Sequence, residues 1–525
     1  MYALKTPAFL RPASRPTSPG PGAASRPDTP SDRARPMSKL SFSNFKRTAS
    51  PMTPPTSALV HDGSYMEVLS LRLSEAISRA LAQPPGPGAP SELLGGRRPI
   101  PAGRGRALGE LIASEIQSTR ENPHLYRAVI RTLHRPLSVL VTNLSGQLLP
   151  LIAAPTFASV PSPQSPNPNP TQCHALAIAT FAGELLETFD ELGLGREADM
   201  RGDGLKGIRD SLVTTIKRVV EPLVSGIKND LMPRIEELEQ NAPPAVKGPS
   251  ATKTAVSHPT IMYLQSVMPV YARSLSRYIT SSFAEGFLAS LTISLVWRGL
   301  VALSNRPAPP PTTTPPGSPP LGTVKAVKEH KRRGSTSTPP PTPPPSRFTL
   351  KLPPSRPPSP LSSTRGPSAA TDARALYELL SLIPRPSKEL AREAVQDAFD
   401  SLSALVALLE FSQTRKVDAG NLAELEAELD VLTADLPVLV ALPVLLRAYV
   451  FPPTSERAVS SMLGISEAAY RTSWLSGFAR AEECVPAVGQ RVLNVLRVTD
   501  GCEPGKEVVM RWLEREVAEA ALEQH

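Results

Sequence analysis

Apolar residues in this chain recur at three- and four-residue steps, the spacing of a helix with one buried face. Met66, Leu69, Leu73, Ile77 and Leu81 form a first stripe, which Pro84, Pro85, Pro87 and Pro90 end. Leu108, Leu111, Ile112 and Ile116 resume it, followed by Leu125, Val129, Leu133 and Leu137. A run from Thr171 aligns Leu176, Phe181, Leu185, Phe189 and Leu192, with Gly193 and Gly195 as stops. The clearest prediction is a helix over about 204–240, marked by Leu205, Ile208, Leu212, Ile216, Val219, Leu223, Ile227, Leu231 and Leu238. Pro222 and Pro233 should kink or divide it, because proline lacks an amide donor and crowds the preceding turn. Apolar helical segments continue from Pro259 to Ser304.

The pattern then breaks. From Pro307 to Pro367 there are 20 prolines, mixed with Ser, Thr and basic residues. Such a segment samples polyproline II and stays solvated. Helical spacing returns after Thr371, through Leu376, Leu379 and Leu380, then Leu402, Leu405, Leu408 and Leu409. A last helix over about 506–524 puts Val509, Trp512, Leu513, Val517 and Leu522 on one face. Strand-like alternation is scarce. The expected class is all-α: two multi-helix regions joined by a long Pro-rich disordered linker, with a disordered N-terminal tail. The expected divisions are a basic Pro/Ser-rich tail at 1–56 and a helical region at 57–304, with loops near 84–106, 155–170 and 242–257. A basic Pro-rich linker at 305–370 and an acidic helical domain at 371–525 follow.

Composition sharpens this division. Proline makes up 61 of 525 residues, too many for one uniformly packed globule. Residues 1–60 hold nine Lys/Arg against two acids, and 305–368 hold ten against one. Residues 369–525 reverse the balance, with fifteen Lys/Arg against twenty-four acids. Basicity therefore lies in the Pro-rich segments, whereas a nucleic-acid-binding domain concentrates it on a folded face. Three cysteines without zinc spacing fit a reducing compartment, so the expected location is cytoplasmic, with nuclear or membrane-peripheral placement as alternatives. No continuous apolar signal segment opens the chain. Residues 136–160 carry no charge for 25 residues, but Asn143, Gln147 and Pro150 interrupt them, so a buried helix rather than a membrane span is expected.

Catalytic patterns are missing: there is no phosphate-cradling glycine loop, HExxH pair or nucleophile elbow. Cys173 and His174 are adjacent, and adjacent helical residues point about 100° apart, which is wrong for a thiol–imidazole dyad. No cofactor or metal is implied. Residues 456–474 look like a helix-turn-helix with Gly464 in the turn, but only Arg471 on its second helix could contact DNA.

The Pro-rich segments carry the informative short motifs. Ser18, Ser50, Thr53, Thr338 and Ser359 precede prolines, as proline-directed kinases require, and Ser335 follows Arg332-Arg333-Gly334 as a basophilic kinase substrate does. Lys351, Pro354 and Pro357 match a ligand of SH3 grooves. Lys325, Lys328, Lys331, Arg332 and Arg333 form a basic run suited to acidic partners or an anionic membrane. The leading expectation is a non-enzymatic intracellular helical scaffold or adaptor with phosphorylatable Pro-rich segments, binding proteins that include SH3-type and kinase regulators. The alternatives are a tether-like peripheral membrane or vesicle-trafficking factor, and a DNA-binding regulator acting through 456–474.

Overall fold

The computed structural model describes residues 58–86, 92–196, 204–241, 257–307, 368–415, 421–451, 458–499 and 504–523. All belong to one unit, Ala58–His525. Its helices are α1 (Ala58–Leu81), α2 (Arg104–Thr119), α3 (Pro123–Ala153), α4 (Pro170–Leu192), α5 (Lys206–Glu236), α6 (Pro259–Tyr278) and α7 (Glu285–Asn305). After the Pro-rich segment come α8 (Ala369–Leu380), α9 (Glu389–Thr414), α10 (Leu422–Thr433), α11 (Val438–Leu445), α12 (Val459–Met462), α13 (Glu467–Ser473), α14 (Phe478–Val498) and α15 (Pro504–Glu523). Among the described residues there is no β-strand, only isolated bridges at Leu94–Arg97 and Ser162–Ser165. The fold is all-α.

Local chemistry sets the boundaries. Asn169 caps α4 by accepting from the Gln172 amide, while the Gln172 side chain accepts from the Asn169 amide. Gly193 ends that helix in the left-handed conformation, at φ 69°. The helix expected near 204–240 is present, but Pro222 and Pro233 do not divide it: α5 runs through both. Pro222 and Pro233 are exposed, as are Arg218 and Asn229, whose carbonyls lose their helical donors to the prolines, so each break falls on the solvent side of the helix.

Residues 104–106, expected in a loop, form the first turn of α2. The Glu184 carboxylate on α4 accepts from the amides of Gly103, Gly105 and Arg106, at 2.7, 2.9 and 3.2 Å. It supplies the partners that a helix N-terminus lacks. Gly105 permits the approach, since a Cβ there would lie 2.4 Å from the Phe181 carbonyl oxygen. No short sequence pattern announces a cap that comes from 80 residues away.

The helices before and after the Pro-rich segment share one core. α7 packs on α5 from before the Pro-rich segment and on α8, α9 and α11 from after it. Gly299 on α7 lets Leu376 of α8 come close: a Cβ would meet its Cδ2 at 2.6 Å. Trp297, also on α7, donates its indole N–H to the Leu475 carbonyl at 2.8 Å. At the far end α15 packs on α14, and Trp512 is fully buried with its indole N–H on the Thr433 hydroxyl at 3.0 Å.

Candidate functional site

The point where the chain leaves α7 is fixed by buried charge. Arg306 follows the last residue of α7, and its guanidinium meets the Asp372 carboxylate at 2.5 Å. Both side chains are only 3% exposed. Asp372 lies in the first turn of α8, whose N-terminus is closed by a Ser368–Thr371 capping box. Arg447, from the π-helical turn Leu446–Val450, donates to the carbonyls of Ser304 and Arg306. The residues flanking 308–367 are thus held together at one place on the helical core.

A second pair of flanks meets beside the first. His258 caps α6, its Nδ1 accepting from the Thr260 amide, and its Nε2 lies 3.2 Å from the Gln240 carbonyl. Gln240 and His258 bracket residues 242–256, which lie outside the described residues. Burial pushes the His258 pKa down, and the positive charge of Arg306 adds to the effect. Asp372 and the Gln240 carbonyl act in the opposite direction.

The positions singled out from sequence divide into two groups. Ser18, Ser50 and Thr53 lie outside the described residues, as do Ser335, Thr338, Ser359, Lys351, Pro354, Pro357 and the basic run Lys325, Lys328, Lys331, Arg332 and Arg333. The described positions go to packing. Residues 459–473 do form a helix, a turn with Gly464 at φ 70°, and a second helix. Arg471, however, is engaged: its guanidinium takes the Glu239 carboxylate in a two-pronged contact and Glu467 at 2.7 Å. The only basic side chain of that helix is therefore committed to this protein's own acids, which takes away the one residue on which the DNA-binding reading rested.

Cys173 and His174 diverge as helical geometry requires. The Cys173 thiol lies 3.5 Å from the Pro168 carbonyl, and His174 Nε2 is 3.2 Å from the Glu92 carbonyl. Cys173 lines an open cavity of about 500 Å³ with Asn167, Thr180 and Arg277, and Arg277 donates to Asn167 at 2.7 Å. Burial, followed by the Glu92 charge, pushes the thiol pKa up and keeps it protonated. Among the described residues no group of three His, Cys, Asp or Glu side chains is placed to hold a metal ion.

Sequence reading missed Arg306, Asp372 and Arg447. The one available signal is that Arg306 is the charge that closes a long apolar helix immediately before proline begins.

No protein-family model matches this chain, and no curated protein matches it. Among solved structures it is similar to the crystal structure of the C-terminal domain of the exocyst subunit Sec6p, at 9% identity and a TM-score of 0.36. That match covers 87% of this chain and 98% of the other. The TM-score is too low to place the two in one fold, so the likeness says nothing of what this chain does.

Proposed function

We propose that this protein is a non-enzymatic helical scaffold of the cytoplasm that holds a basic, Pro-rich segment out to protein partners. The observation that carries the reading is the buried Arg306–Asp372 pair, with Arg447 against the same backbone. A spacer between independent domains has no need of clasped ends. Here residues 308–367 begin and end at one point on a shared core, as a segment displayed from a platform does. Its sequence supplies recognition chemistry: Lys351, Pro354 and Pro357 for an aromatic groove, and Ser335 beside five cations for a kinase. A phosphate on Ser335 brings about −1.5 to −2 charges and offsets roughly half of the local excess. His258 is spent on capping α6 and the Cys173 thiol is held protonated, which supports a binding role over catalysis.

The test is affinity isolation with the full chain and with a variant whose residues 308–367 are replaced by a Gly/Ser segment of equal length. Loss of a defined set of partners, with the thermal unfolding midpoint unchanged, is the expected result. Retention of every partner, or turnover that depends on a mapped side chain, would sink the reading.

A further inference from the structure

Helix α3 is long and apolar enough to cross a membrane, yet only 28% of its most apolar stretch is buried. Its inner side packs on α1, α2, α4 and α5 through Leu133, Leu137, Leu140, Leu144 and Leu148. The opposite side is one continuous exposed stripe. Residues 127, 131, 135, 139, 142, 146, 149 and 153 follow one another at three- and four-residue steps, and all eight are exposed. The first three are Arg127, Arg131 and Arg135; the rest are uncharged, with Val139 53% and Leu149 52% exposed. The three arginines form no ion pair among the described residues. Residues 122–183 contain no Asp or Glu, so α3 itself offers them no carboxylate. Beside the uncharged end, Ile152, Phe157, Ala158 and Pro222 line a groove of about 610 Å³ that also carries Lys217, Arg218 and Glu221, with Lys217 paired to Glu221 at 3.9 Å, so Arg218 is its one cation outside that pair.

We propose that this outer stripe of α3 is a docking surface for an anionic phospholipid bilayer. The arginine end meets lipid phosphates and carboxylates, and the uncharged end, with Val139 and Leu149, seats at the headgroup boundary. A stripe that is cationic and apolar without acids is what an interfacial helix presents. A second copy of this chain fits poorly. Two-fold pairing sets a stripe against itself, so arginines meet either arginines or Val139 and Leu149, with no carboxylate to neutralise them. The surface lies on described helices and does not depend on the Pro-rich segment.

The test uses the full chain and flotation on phosphatidylcholine vesicles with and without about 30% phosphatidylserine, at about 50 mM and about 500 mM salt. One arginine near an anionic leaflet is worth about fivefold in partitioning, so changing Arg127, Arg131 and Arg135 together to Gln should weaken binding about 100-fold at low salt. Leu149→Asp should weaken it at both salt concentrations, because the seated apolar end is not screened. All four positions are exposed, so circular dichroism and the unfolding midpoint should match wild type. If the triple variant floats like wild type, the basic terminal and Pro-rich segments do the binding and the proposal fails. It fails equally if wild type ignores phosphatidylserine, if it binds polyglutamate but not vesicles, or if Leu149→Asp converts a dimer to a monomer.

Discussion

Helices α3 and α7 are near twins by composition and opposites by environment. Both are long enough and apolar enough to cross a membrane, with mean hydropathies of 1.4 and 1.7 over their most apolar stretches. Yet α7 buries 67% of that stretch and α3 only 28%. Each packs on several neighbours, but those of α3 all come from the N-terminal half of the chain and lie to one side. α7 gains a second layer from α8, α9 and α11, which follow the Pro-rich segment. Hydropathy thus fixes how much a helix gains from being covered. Whether it is covered depends on segments far along the chain. The second layer also draws Arg306 inward, while Arg127, Arg131 and Arg135 remain in solvent.

The largest expected effect tests that last contrast. Asp372→Ala leaves the Arg306 guanidinium buried without its carboxylate, and breaking a buried pair costs about 3–5 kcal/mol. Arg131→Ala removes an exposed charge with no partner and should change stability by less than about 0.5 kcal/mol. Urea denaturation of the two variants measures both. The double change Arg306→Met with Asp372→Leu should recover most of the loss, since apolar replacement of a buried pair is often neutral. Equal stability of Asp372→Ala and wild type would mean that the clasp at the base of the Pro-rich segment holds nothing.

Composition is no guide to α15 either. It carries eight charged residues, yet Trp512 and Leu513 are completely buried. Trp512→Ala should cost about 3–5 kcal/mol, read as a lowered denaturation midpoint. An unchanged midpoint would show that α15 adds no cover to the C-terminal layer.

The next contrast uses one chemical change at two sites. Leu300 on α7 is 0% exposed and Leu149 on α3 is 52% exposed. Leu300→Ala should cost about 2–5 kcal/mol. Leu149→Ala should be neutral within about 0.5 kcal/mol, while still weakening vesicle binding. If Leu149→Ala destabilised the protein as much as Leu300→Ala, the α3 stripe would be covered in solution and unavailable for docking.

Much of the helical pattern was readable because burial imposes a period. The stripe from Leu205 to Leu238 became α5 and its following turn, and Val509, Trp512 and Leu513 became the buried face of α15. Cross-chain chemistry was not readable. The Glu184 cap on α2, the Arg306–Asp372 pair and the capture of Arg471 by Glu239 join residues 66 to 232 positions apart, and no local pattern encodes them. Prolines misled for a physical reason. A proline on the exposed side of a helix removes a hydrogen bond where water can replace it, so Pro222 and Pro233 do not divide α5. The uncharged run 136–160 was expected to be buried, and on α3 its outer side is not. Absence of charge shows what a helix could contact, not what covers it. The phosphorylation and SH3 motifs gained nothing from the structure, because they lie outside the described residues.

The smallest expected effect is a slope with pH at the covered end of α7. His258 is 4% exposed, and burial together with the Arg306 charge holds its folded pKa below 6.5, the ordinary histidine value. Above that value the imidazole is neutral in both the folded and unfolded states, and its contribution is complete. As pH falls through about 6.5, the unfolded chain takes up a proton that the folded chain refuses, so stability declines until the lower folded pKa is reached. The sign is therefore a loss on acidification between pH 7 and 5.5, above the range in which ordinary carboxylates titrate. His258→Asn keeps a side-chain acceptor for the Thr260 amide but cannot titrate, so it should flatten the decline by the share that His258 carries. Denaturant unfolding of both proteins across that pH range measures the difference. Asp372→Ala, measured with His258 in place and again in the His258→Asn background, then tests whether the two clasps act together. Asp372 opposes the downward shift of His258, so without it only the Gln240 carbonyl and the Glu237 charge offset burial and Arg306, and with His258 in place the decline should steepen. An identical slope with and without Asp372 would separate the His258–Gln240 contact from the Arg306–Asp372 pair as two independent fastenings.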